Sequence, residues 1–131
     1  MKAWAEQARV LLRKAQGDLH VLQRLADDEA APPWVFGFHA QQAVEKALKA
    51  ALAQGQIEYP FTHDIETLIK LLRTRGQALP PSPEDLPRLT PFGALWRYED
   101  EPETDLGDLR PDAILSLVAQ CVRWAETLVS R

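Results

Sequence analysis

The side chains of this 131-residue chain that are able to do chemistry fall into three groups. The first lies within FHAQQAVEKALKAAL, residues 38–52. There His39, Gln42, Glu45, Lys46 and Lys49 recur at spacings of three and four, so a helix gathers them into one polar stripe. A stripe of amide, carboxylate and ammonium groups suits hydrogen bonding to a nucleotide, a polar seam between two copies, or plain solvation of a helix face. The second group is Thr62-His63-Asp64, an imidazole between a hydroxyl and a carboxylate. Such a histidine either caps and packs at a helix start or transfers protons. The third is Arg97-Tyr98, followed directly by the acidic run EDEPETD. Arg97 either pairs with Glu99 or Asp100 or offers its guanidinium to an anion, and Tyr98 belongs to the core or to the rim of a site. Metal chemistry is not expected. The acidic run is no calcium loop, because Gly107 is misplaced and the closing glutamate is missing. Cys121, the only cysteine, reads as a core residue and excludes an internal disulfide or a cysteine-based metal site. No cofactor is implied.

These groups need elements to hold them, and the intervening residues supply helices. Behind the polar stripe, Ala40, Ala43, Val44, Ala47, Leu48 and Ala51 fall on one side, small enough to let neighbouring helices come close. This helix is predicted from about Trp34 to Gln54, with Gly55 as its stop, and Glu45 and Lys49 one turn apart add about 0.2–0.5 kcal/mol. Ahead of it, Lys2 to about Ala26 carries Trp4, Ala8, Leu11, Leu12, Ala15, Leu19, Leu22 and Leu25 at helical spacing. Gly17 costs that helix ~1 kcal/mol against alanine, and the prolines of Asp27–Pro33 end it. A third helix is expected after Thr62 as N-cap, with Asp64 in the first turn, an Ile65, Leu68, Ile69, Leu72 stripe, and Gly76 as its end. Ser82-Pro83-Glu84-Asp85 and Thr90-Pro91 both resemble helix starts, which predicts a short or kinked helix reaching Arg97 or Tyr98. The last helix is predicted from about Pro111 to Ser130, its apolar face made by Ile114, Leu117, Val118, Cys121, Trp124, Ala125 and Leu128. Trp4 and Trp124 are expected to meet in the core, while Trp34 and Trp96, near helix ends, are placed to line a cleft or a dimer interface. Period-two alternation is absent throughout. The expectation is one all-α domain over residues 1–131, an up-and-down four-helix bundle with an additional short helix.

Composition narrows the functional classes. The chain is 46% hydrophobic and 26% charged, a soluble globular balance. No apolar run approaches the ~20 residues that span a bilayer. The N-terminus MKAWAEQARVLLRKAQ mixes charge with apolar residues and reads as helix, not signal peptide, which points to a cytoplasmic location and no membrane. The net charge of −4 is uneven: ten Lys/Arg against nine Asp/Glu in residues 1–75, five against ten in residues 76–131. A broadly basic nucleic-acid face is therefore excluded, and RNA contact would have to be local or built by an oligomer.

Taken in order, Gln41-Gln42-Ala43-Val44-Glu45-Lys46-Ala47-Leu48-Lys49, then His63-Asp64-Ile65, then Leu95-Trp96-Arg97-Tyr98, between two amphipathic helices, resemble the HEPN domain family (higher eukaryotes and prokaryotes nucleotide-binding). The resemblance spans essentially the whole chain. It implies a four-helix bundle with a fifth short helix, usually dimeric, often paired with a small MNT-type nucleotidyltransferase in two-component or toxin–antitoxin arrangements. Active members are metal-independent ribonucleases whose motif is arginine, four to six residues, then histidine. Here Arg97 is followed by Tyr98, Glu99, Asp100, Glu101, Pro102, Glu103 and Thr104, and the three histidines, His20, His39 and His63, all lie upstream. The resemblance thus implies a dimeric binding module, with Arg97, Tyr98, His63, Gln42, Lys46 and Lys49 as nucleotide- or partner-binding candidates. The alternative it leaves is a ribonuclease toxin using Arg97 with an acid or with His63; a further one is a bundle serving assembly alone. In some family pairs tyrosines near the motif accept a nucleotide from the partner, which makes Tyr98 a candidate for that role as well.

Overall fold

A computed structural model describes residues 3–93 and 110–129. They form α1 (Trp4–Leu25), α2 (Pro33–Gln54), α3 (Ile65–Thr74), a 3-10 helix (Leu86–Gly93) and α4 (Pro111–Leu128), with no strand among them. The expected all-α bundle with one additional short helix is what these residues build.

The second helix is the axis of the molecule. Ala40, Ala43, Val44, Ala47, Leu48 and Ala51 are buried, as their spacing predicts, but so are Gln41, Glu45, Ala50, Leu52 and Ala53. The helix is therefore enclosed around most of its circumference. Alanine makes this possible, because a methyl group lets α1 and α4 lie close on different sides. Leu48 and Leu52 are fully buried among Leu22, Leu68, Leu72, Val118 and Cys121, each such leucine stabilising by about 1.5–3 kcal/mol.

Directions follow from the contacts. Ala8 of α1 clusters with Ala50 and Ala53 near the end of α2, while Leu25 and Phe36 line one cleft at the other end. The pair α1–α2 is thus antiparallel. Pro111 opens α4 beside Phe36, and Val129 follows α4 beside Ala50 and Ala53, so α4 runs with α2 and against α1. Between α2 and α3 the chain returns along α2: Tyr59 reaches Lys49 and His63 reaches Glu45. That long return starts α3 beside the middle of α2 and lets it run in the same sense, so that Leu72 and Gln77 arrive near Gly55. Up-and-down alternation is accordingly kept by α1 with each of α2 and α4.

Several local expectations shift. Gly55 caps α2 as expected, and the left-handed residue that turns the chain is the next one, Gln56, with φ 57°. Its N–H bonds the carbonyl of Ala53 and that of Ile57 bonds Leu52, a Schellman closure. The same closure after α3 places Gly76 at φ 68°. The helix α3 begins at Ile65, so Asp64, not Thr62, holds the cap position; Thr62 Oγ1 instead accepts from the Asp64 N–H at 3.0 Å. The Ile65 N–H is satisfied by Thr90 Oγ1 at 3.2 Å, so Thr90, predicted to open its own helix, closes another one. No α-helix starts at Ser82; residues 82–85 form a turn with Ser82 at φ 53°, and prolines 87 and 91 leave room only for the 3-10 segment. Trp4 packs on Ala8, Ala50, Ala53 and Val129, while Trp124 packs on the main core, so the two do not share a cluster. Val129, one turn beyond Trp124, takes the place beside Trp4. Trp34 is half-buried at the start of α2, while Trp96 lies outside the described residues.

Candidate functional site

The polar stripe of α2 is not a solvated face. It is the middle of a hydrogen-bonded network centred on Glu45, whose side chain is only 6% exposed. One oxygen, Oε1, accepts from Gln41 Nε2 at 2.8 Å and meets His63 Nδ1 at 2.9 Å; the other, Oε2, accepts from Lys49 Nζ at 2.9 Å. Gln41 also donates to the backbone carbonyl of His63 at 3.2 Å, and Gln42 Nε2 donates to Gln41 Oε1 at 2.7 Å. Both the side chain and the backbone of His63 are thereby tied to α2. Lys49 Nζ stands 5.6 Å from the centre of the Tyr59 ring, and the Tyr59 hydroxyl accepts from Gln7 Nε2 at 2.9 Å.

A second carboxylate repeats the pattern one helix away. Asp18 of α1 meets His39 Nδ1 at 3.0 Å through Oδ1 and accepts from Lys46 Nζ at 2.7 Å through Oδ2. His39, expected on the exposed side of the stripe, is half-buried by this partner. Each carboxylate therefore joins one histidine to one lysine, and each lysine charge is matched where it stands.

Electrostatics fix the protonation pattern at Glu45. Burial raises its pKa, but the hydrogen bonds from Lys49, Gln41 and His63, with the Lys49 charge, outweigh burial and hold it below its ordinary 4.5. An ionised carboxylate only accepts hydrogen bonds, so His63 Nδ1 must carry the proton between them. Whenever the ring is uncharged its lone pair therefore lies on Nε2, and the His63 side chain is 52% exposed. The arrangement is a buried carboxylate and an oriented, half-exposed imidazole, a geometry used in proton transfer and nucleophilic attack. Beside it Phe61 is 95% exposed and meets the His63 ring edge-on, ring centres 5.8 Å apart.

Of the candidates read from the sequence, the structure brings together His63, Gln42 and Lys49 around Glu45, and sets Lys46 apart from them on Asp18. Arg97 and Tyr98 lie outside the described residues. Gly93, four residues before Arg97, stands so close to Gln41 that a Cβ there would sit 2.7 Å from the Gln41 side chain. Two members of the network escape sequence reasoning, Gln41 and Asp18. Gln41 stands one turn before Glu45, a spacing able to mark it. Asp18 falls three residues after buried Ala15 and four before buried Leu22, so it is a charge on an apolar stripe. No group of three or more metal-binding side chains occurs among the described residues. No helix among them is long and apolar enough to cross a membrane.

In comparison with known proteins, the family model of the HEPN domain matches residues 8–128. No curated protein and no solved structure matches the chain.

Proposed function

The chain belongs to the HEPN domain family, and from that premise we propose that it is a dimeric binding module rather than a self-sufficient ribonuclease. Its protein partner on this reading is a small MNT-type nucleotidyltransferase, with a nucleotide or RNA as a further ligand bound through Arg97, Tyr98 and the polar face of α2.

The carrying observation is how histidines and cations are disposed. No histidine follows Arg97. The ammonium groups of Lys46 and Lys49 on α2 are spent on Asp18 and Glu45, so neither is spare to hold a phosphorane charge. Metal-independent RNA cleavage needs a base near the ribose 2′-hydroxyl and a cation for the developing phosphorane charge. Glu99, Asp100, Glu101 and Glu103 after Arg97 would repel a phosphodiester there. Co-purification tests the binding reading: a tagged chain expressed in its native cell brings down a nucleotidyltransferase, and recovery of the chain without one overturns it.

One observation favours a second reading. The exposed, carboxylate-held His63 is a ready general base, so a metal-independent endoribonuclease pairing His63 with Arg97 is the alternative. It requires purified protein to cleave RNA in the presence of a chelator and Arg97→Ala and His63→Ala each to stop it. Intact RNA at high protein concentration rules it out.

A further inference from the structure

We propose that the outward face of α1 binds the phosphodiester backbone of a single nucleic-acid strand, along a row made by Arg9, Arg13, Gly17, His20 and Arg24. The row shares no residue with the binding site proposed above and does not depend on a nucleotidyltransferase partner.

Three observations meet on this row. At ~3.6 residues per turn its five members fall within about a quarter of the helix circumference, opposite Ala8, Ala15 and Leu22, which are buried. All five are exposed, and none of the three arginines meets a carboxylate among the described residues. Arg9 and Arg13 also stand one turn apart, a like-charge spacing that weakens a helix. Gly17 lies in mid-helix with no atom within 4 Å of the place a Cβ would take, so no close neighbour requires a glycine there, and glycine too weakens the helix. The folded chain gains nothing from either feature. Local rules broken together on one exposed face mark a place where a ligand supplies the gain.

The shape of the charge selects the ligand. The row is one side chain wide and about 22 Å long from Arg9 to Arg24, and acids border it. Glu6 stands at its start, Asp27 and Asp28 past its end, Asp18 towards α2, and Glu126 of α4 on the side where Gln16 donates to it at 2.7 Å. A broad anionic face, of an acidic protein or a lipid surface, would meet those carboxylates together with the arginines, whereas a single strand of phosphates follows the row between them. The row also holds no aromatic or large apolar side chain, while protein interfaces centre on aromatic anchors and helices on membranes insert Trp, Phe or Leu. Guanidinium groups hold phosphate oxygens through paired N–H donors, His20 adds another N–H, and Gly17 lets the strand come down to the helix backbone. Contacts of this kind position a strand and read no sequence.

The test is fluorescence anisotropy of labelled oligouridylate and oligothymidylate of equal length, titrated with the full chain over a salt series. The two strands separate RNA from DNA as the source of the backbone. Equal binding is expected, because the row has no group set to read a base or the 2′-hydroxyl, and a clear preference for either overturns the proposal. Three arginine contacts predict a slope of log K against log salt of about −2. Arg9→Ala, Arg13→Ala and Arg24→Ala should each weaken binding by about fivefold at about 0.1 M salt and make the slope shallower by about 0.7, with the helical circular dichroism unchanged. Gly17→Leu should weaken binding although it favours the helix. No binding, or arginine variants that bind like the parent, overturn the proposal. So does an equal loss from Arg73→Ala, an exposed arginine of α3, since total charge alone would then decide. A loss confined to Arg97→Ala overturns it as well and leaves the binding site proposed above standing. Polyglutamate that displaces the strand at equal charge reassigns the row to an acidic protein, which also overturns it.

Discussion

Glu45 couples the polar face of α2 to pH, and the sign follows from the direction of its pKa. Its folded-state value lies below the ordinary 4.5, so the folded chain holds this proton more weakly than the unfolded chain does. The resulting stability is fully present above pH 4.5 and is lost as pH falls through the lower, folded value. An acid titration of the unfolding midpoint should therefore fall off below pH 4.5, and Glu45→Gln should flatten that limb. At neutral pH the same substitution leaves Lys49, whose side chain is 13% exposed, without its counter-charge. Glu45→Ala, which also removes the acceptor for Gln41, should cost about 3–5 kcal/mol in urea unfolding, as breaking a buried pair does. Truncating half-exposed His63 should cost only about 0–1 kcal/mol. If the two losses prove equal, the network is not centred on Glu45.

At the scale of elements, the glycines and the helix ends carry the predictions. The 3-10 segment lies against α2 at two points where side chains leave no room: a Cβ on Gly37 would come within 2.8 Å of Phe92, and one on Gly93 within 2.7 Å of Gln41. Gly93→Ala must push either the segment or Gln41 aside, and should destabilise by about 1–3 kcal/mol; an unchanged melting point would show that the segment yields freely. Gly17 is the opposite case. It lies in α1, and no atom stands within 4 Å of the place an alanine methyl would take, so Gly17→Ala should stabilise by about 0.5–1 kcal/mol. These differences also mark what can be read from the chain. The apolar stripes of α1, α3 and α4 are legible because spacing alone decides which face is buried. The enclosure of α2 is not, because Gln41 and Glu45 are polar and are covered only by the return of residues 57–64 and by the 3-10 segment. Thr62 and Thr90 are both visible as capping residues, but which helix each serves depends on contacts 25 residues apart in sequence, as between Ile65 and Thr90. The candidate site follows the same rule. Gln42, Lys46 and Lys49 are visible as a stripe, while their partners on α1 and in the return loop are set by tertiary packing.

For the whole molecule, the central position of α2 governs cooperativity. The helices α1, α3 and α4 and the 3-10 segment all pack on α2, and one cluster of buried residues draws on every one of them. None of the outer helices has a comparable core without it. A structure held through one shared helix should unfold as a unit, since losing α2 exposes the apolar face of every other element at once. The tryptophans report on this from different places: Trp4 sits in the small cluster at the far end of α2, Trp124 on the main core, and Trp34 at the start of α2. Tryptophan fluorescence and far-ultraviolet circular dichroism should therefore give coincident urea transitions. Leu48, fully buried on α2, supplies the perturbation. Leu48→Ala should lower stability by about 2–5 kcal/mol while keeping the two transitions coincident, because the lost contacts belong to all the helices together. A fluorescence transition that separates from the helical one in this variant would mean that α1, with α2, forms a unit that survives without the rest, and that the bundle has two cooperative parts rather than one.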